Sequence, residues 1–143
     1  MEFENRKAWI HMTRREAREL AFVLLFERSF CGESIAEILE NAGEARDIIG
    51  DAFATSLAEG AVEHTDEIDQ IISDHAHNWS RDRLSRVALA VLRLAIYEIR
   101  WVEDIPVSVS INEAVELAKR YGGDADASFI NGVLGGVARH NEA

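Results

Sequence analysis

Apolar residues recur with the period of an α-helix along most of the chain. Ala17, Leu20, Ala21, Leu24 and Leu25 stand at i, i+3, i+4, i+7 and i+8, one stripe of a helix that must be covered. Just ahead of it, Thr13 and Glu16 have the spacing of a capping box, in which each side chain satisfies an unpaired amide, so a helix is predicted to begin there. Ser34 and Glu37 repeat the spacing before Ile35, Ile38, Leu39 and Ala42, a short second helix ending near Gly43. A third helix is predicted over 47–64 from Ile49, Ala52, Phe53, Ser56, Leu57, Gly60 and Ala61, with Gly60 admitting a close neighbour. A fourth, capped by Thr65 or Asp66, turns Ile68, Ile71, Ile72, His75 and Trp79 inward.

Residues 84–99, opened by Ser80, are apolar all round the helix axis, so this segment is expected to be a central strut buried on several sides. Arg93 and Glu98 interrupt it, and each needs a partner or a route to water. The loop 102–106 ends the strut, because the residue before Pro106 is pushed out of the α region. Ser110 and Glu113 predict a helix through Ala114, Val115, Leu117, Ala118 and Tyr121, stopped by Gly122 and Gly123. A last helix is predicted over 129–137. Its Gly132, Gly135 and Gly136 lower helix propensity, which tight packing or backbone access to a ligand would explain, packing being the reading preferred. Residues 1–11 show no persistent period and are expected to be a flexible N-terminal extension, with one helical domain at 12–143. The class predicted is all-α, with about seven helices and no sheet.

Composition agrees, since one proline and nine glycines in 143 residues leave few helix breakers. Cys31 is the single cysteine, so no intramolecular disulfide can form, which fits a reducing compartment. The apolar stretch 87–92 is cut by Arg93, far short of the roughly 20 residues that span a bilayer. Glu2, Glu4, Arg6 and Lys7 interrupt the N-terminus, which lacks the apolar core of a signal peptide. A cytoplasmic protein without a membrane span is expected.

Charge complicates the picture. A net charge of −11 argues against nucleic-acid binding at first sight. The excess is local: residues 29–79 carry one Lys/Arg and twelve Asp/Glu, whereas 1–28 carry six and five. The acidic middle is either a solvated face or a surface for a basic partner, and it would repel RNA, so 33–74 is expected not to contact it. At 100° per residue, Arg14, Arg15 and Arg18 fall on one flank of the first stripe, and Phe22 and Phe26 extend that flank. Guanidinium groups fork onto phosphates and aromatic rings stack on unpaired bases, so the flank suits single-stranded RNA. The alternative is a solvated arginine edge beside phenylalanines that belong to the core.

Catalytic chemistry finds little support. None of the five histidines forms an i, i+4 pair that could share a metal ion, and His75 and His77 point to different sides of their helix. Cys31, beside Phe30 and Gly32, has no evident activating base. Gly132, Gly135 and Gly136 have no preceding strand and no following phosphate-binding Lys, so neither a P-loop nor a dinucleotide fingerprint is present. A non-enzyme without metal or cofactor is expected.

The segments VLRLAIYEI (91–99), DIPVSVSINEAVELAKRYG (104–122) and FINGVL (129–134), with RREAREL at 14–20, strongly resemble the NusB family of transcription factors. The resemblance implies two small helical bundles packed together. It implies a factor that pairs with NusE, a small-subunit ribosomal protein, binds the boxA segment of nascent ribosomal RNA and joins RNA polymerase to suppress premature termination. Arg14, Arg15 and Arg18 stand at the family's N-terminal RNA-binding arginines, Phe26 at a position often Tyr, and Phe129 at the Phe that opens the last conserved segment. Glu16 and Val23 depart from it, at positions often basic and often Gln, so weaker binding without the partner is implied. Two other readings remain open. A NusB-like domain of an RNA methyltransferase is disfavoured by a chain ending at Ala143, and a homodimeric interaction module with little RNA binding would suit the acidity.

Overall fold

A computed structural model describes residues 13–46, 51–76 and 84–142. The described residues form seven helices and no strand: α1 Arg14–Cys31, α2 Ile35–Arg46, α3 Ala52–Glu63, α4 Thr65–His75, α5 Arg86–Trp101, α6 Val107–Tyr121 and α7 Asp124–Glu142. They fall into two compact units, with the boundary between Glu59 and Gly60 inside α3. The expected extension at 1–11, the Ser80 cap and Trp79 lie outside the described residues.

In the first unit, α1 starts where the capping box placed it. Thr13 Oγ1 accepts from the Glu16 N–H at 3.1 Å, and Glu16 Oε1 accepts from the Thr13 N–H at 2.9 Å. Gly32 ends the helix at φ 73°, a left-handed turn that glycine takes without a Cβ penalty, and its N–H donates to the Arg28 carbonyl at 3.0 Å. Ala17, Leu20, Ala21, Leu24 and Leu25 are all buried, and α2 packs against α1 with Ile35 and Ile38 inward. Ser34 and Glu37 form the second box at 2.9 and 3.1 Å. The Ser34 N–H, then the Ser34 side chain, hold the Glu37 carboxyl below its usual range. The charged form is the one that caps, so this small contribution is present above the ordinary carboxylate pKa and lost as pH falls through the lowered one. Contrary to expectation, α2 runs past Gly43 to Arg46. The helix predicted to begin near Asp47 is described only from Ala52, where Asp51 Oδ1 caps the Ala54 N–H at 3.0 Å. Its inward side is Ala54, Leu57, Ala58 and Ala61, with Ser56 and Ala52 exposed.

In the second unit, α5 is the strut, packing against α4, α6 and α7. Val91 is 0 % and Ala95 2 % exposed, and Ile96 and Leu92 are fully covered, so burial surrounds the axis as expected. Its cap is Ser85, whose Oγ accepts from the Ala88 N–H at 2.9 Å. Arg93 and Glu98, which interrupt its apolar run, both have partners. Arg93 donates through Nε and Nη2 to the two Asp69 carboxylate oxygens on α4 at 2.9 and 2.8 Å. Buried Glu98 accepts from Ser110 Oγ on α6 at 2.9 Å.

Two predicted caps are corrected. Thr65 does not cap α4; its hydroxyl donates backwards to the Ala61 and Val62 carbonyls at 3.1 and 2.8 Å, and His64 takes the cap position. Ser110 does not open α6, which starts a turn earlier after Pro106, because the buried Glu98 carboxylate needs that hydroxyl more than the helix start does. The last helix is also longer than predicted. It begins at Asp124, where Asp124 and Asp126 complement the positive helix terminus.

The three glycines of α7 do not share one cause. A Cβ on Gly136 would meet His75 Cδ2 at 3.1 Å, the tight packing expected, and one on Gly135 would make ordinary contact with Arg139. Gly132 is exposed, and a Cβ there would meet nothing within 4 Å, so packing does not explain it. Gly132→Ala is expected to stabilise the protein by about 0.5–1 kcal/mol through helix propensity alone, read as a rise of about 2 °C in Tm. A fall in Tm would show that the glycine serves the fold.

Candidate nucleic-acid interface

The exposed flank of α1 carries the candidate site, and the structure divides its predicted members. Arg14 and Arg15, in the first turn, are exposed. The Arg14 guanidinium carbon lies 3.7 Å from the centroid of the Phe53 ring of α3, in the same unit. Stacked in this way, a guanidinium is held by its face while its edge stays available to fork onto an oxyanion. Arg18 is different: only 5 % of it is exposed, so it does not lie on the open flank on which its angle had placed it. A long aliphatic stem allows this, since the chain packs along apolar neighbours before its head finds polar contacts.

The aromatics form a graded row. Phe22 is 1 % exposed and is core, Phe26 is half-buried, and Phe30 is 62 % exposed. The Phe22 and Phe26 rings stack at 5.8 Å, and Phe26 meets Phe30 edge-on at 5.0 Å. Phe26 follows Arg15 by eleven residues, about three turns, so the two share a flank about 16 Å apart along the axis. Phe129 lies half-buried on α7 in the second unit. Phe53 was read from the sequence only as part of the third helix's apolar face, and no periodicity could have linked it to Arg14, because the contact is tertiary. Phe30 carried a legible signal, the i, i+4, i+8 spacing from Phe22 through Phe26.

Among the described residues no group of three or more His, Cys, Asp or Glu is placed to hold a metal ion. His75 and His140 meet edge-on at 5.7 Å, with His75 Nδ1 2.9 Å from the Ile71 carbonyl oxygen. Cys31 is exposed and unpaired, and no helix among the described residues is long and apolar enough to cross a membrane.

Among the described residues, seven helices in two units, with guanidinium and ring surfaces exposed on the first helix and no metal-holding cluster, define an all-helical class of protein. Comparison with known proteins narrows this. A family model described as the NusB family matches residues 15–139, and the chain belongs to that family. It is 45% identical over 126 residues to the transcription antitermination protein NusB of Bacillus subtilis strain 168, covering 88% of this chain and 95% of the relative. The structure of T. maritima NusB matches with a TM-score of 0.81 and 36% identity, over 91% of this chain and 93% of that one. A crystal structure of antitermination factors NusB and NusE in complex with double-stranded RNA matches with a TM-score of 0.79 and 31% identity, over 89% of this chain and 96% of the matched chain. The relatives matched along most of the chain are transcription antitermination proteins.

Proposed function

We infer that this chain is a transcription antitermination factor that, with NusE, binds boxA RNA of nascent ribosomal RNA transcripts and helps RNA polymerase suppress premature termination. The observation that carries the reading is the family match over 15–139, within which lies a relative seen with NusE and RNA. Its place of action is the cytoplasm, where transcripts are made. The domain is taken as 12–143, with 1–11 an extension.

Within that function we assign RNA contact to Arg14, Arg15, Phe26 and Phe129, with Arg18 supporting the helix from inside. Arg14 and Arg15 supply phosphate contacts, and the half-buried Phe26 offers a ring face to an unpaired base. The acidic residues between 33 and 74 stay off the RNA. Asp69 is committed to Arg93, and Glu37, Glu40, Asp66 and Glu67 are exposed and would repel phosphate. They suit a basic partner instead.

Binding of a single-stranded boxA oligonucleotide, its duplex and a scrambled strand, each with and without NusE, tests the reading. Tight, NusE-dependent binding of single-stranded boxA over the scrambled strand is the expected result. The net charge of −11 and the burial of Arg18 favour the second reading, an interaction module with little RNA binding of its own. That reading stands if NusE binds and no RNA does. Phe53→Leu checks the Arg14 arrangement. It keeps an apolar side chain but removes the ring beneath the guanidinium, and RNA affinity is expected to fall about two- to fivefold, as loss of an exposed cation–π contact implies. Phe53→Tyr should restore it.

A further inference from the structure

We propose that Phe30 extends the RNA surface of α1 and stacks an unpaired base at the far end of the helix from Arg14 and Arg15. The proposal rests on the reading of α1 as an RNA-binding helix. Burying a phenylalanine side chain is worth roughly 1.5–3 kcal/mol, so leaving one 62 % exposed forgoes most of that gain. The neighbouring core needs no further ring, because Phe22, Leu24 and Leu25 already fill the inner side of α1.

The position of Phe30 is ordered. Its ring and that of Phe26 meet edge to face at 5.0 Å and 77°, so its orientation is set, and little side-chain freedom remains to be lost when a base arrives. Fifteen residues separate it from Arg15, about four helical turns or 22 Å, a length that several nucleotides of extended strand would cover. Phosphates would meet the guanidinium end and bases the ring end. A second copy of this chain is a poorer occupant. A stable interface needs about 800 Å² from each partner, and Phe30 is the one large hydrophobic exposed among the described residues of the first unit.

The experiment measures affinity and salt dependence for single-stranded boxA RNA in the NusE complex, using Phe30→Ala, Phe30→Trp and the Arg14→Ala/Arg15→Ala double variant. Stacking is neutral contact, so Phe30→Ala should weaken binding about tenfold with the salt slope unchanged. Phe30→Trp should bind at least as tightly as the parent. A 2-aminopurine base in the RNA should be quenched by the parent and released by Phe30→Ala. If Phe30→Ala binds like the parent while the arginine variant loses affinity, α1 still binds RNA and the Phe30 proposal is wrong. If neither variant changes binding, α1 is not the RNA surface and both statements fall. Dissociation of a homodimer by Phe30→Ala, with RNA affinity intact, would also overturn the proposal.

Discussion

The Arg14→Ala/Arg15→Ala variant is expected to bind single-stranded boxA RNA in the NusE complex between about tenfold and a hundredfold more weakly than the parent, with helix content unchanged. Each guanidinium is assigned one phosphate, and a charge-assisted hydrogen bond is typically worth about 1.5–3 kcal/mol, part of which water and salt recover at an exposed site. The sharper signature is the salt dependence. Losing two contacts to a single strand should flatten the slope of log K against log salt by about 1.4. Both side chains are exposed, so the fold should survive their truncation. Arg18 has to be left out, because it is 5 % exposed: Arg18→Ala should lower Tm, and any loss of RNA binding would then report the fold as much as the contact. An unchanged affinity and slope at physiological salt would remove α1 from the RNA surface.

A second large effect is expected at Gly60, on stability. A Cβ built there would run into the Tyr97 ring, which is stacked 5.9 Å from His64 and 5.8 Å from Trp101. His64 itself lies 4.2 Å from Trp101, so Tyr97 has stacked rings beside it and cannot swing aside without disturbing them. Gly60→Ala should therefore cost about 1–3 kcal/mol, as overpacking of a filled site does, at roughly 2–4 °C of Tm per kcal/mol. Tyr97→Leu in the same chain should recover part of the loss, and the double-mutant cycle measures that coupling. Gly60→Ala with the Tm of the parent would show that the close approach is not needed.

What the sequence made legible follows from range. Thr13 with Glu16 and Ser34 with Glu37 cap helices as their spacing predicted, because a capping box needs only residues three apart. The same spacing at Ser110 and Glu113 misled, since Ser110 answers to Glu98 across a helix pair. Gly60 was readable as a point of close approach, although the ring that needs it was not. The cationic flank was readable in part. Helical angle alone put Arg18 beside Arg14 and Arg15, but whether such a side chain points out or in depends on what lies across from it. Phe53, which holds Arg14, is nearly forty residues away along the chain and entered the candidate site only through the fold.

The Arg93–Asp69 fork also limits how this chain can drift. Two parallel bonds at 2.9 and 2.8 Å need a planar donor, and both side chains are largely covered, at 22% and 12% exposure. Lysine, the charge-keeping replacement one base change away from some arginine codons, brings a point charge that cannot make both bonds. An apolar residue at 93 would take both of these bonds from the carboxylate, and one at 69 would take them from the guanidinium. Neither position has a neutral first step, so a lineage that abandons the pair must pass through a less stable ancestor or change both codons together, and the two are inherited as a single character.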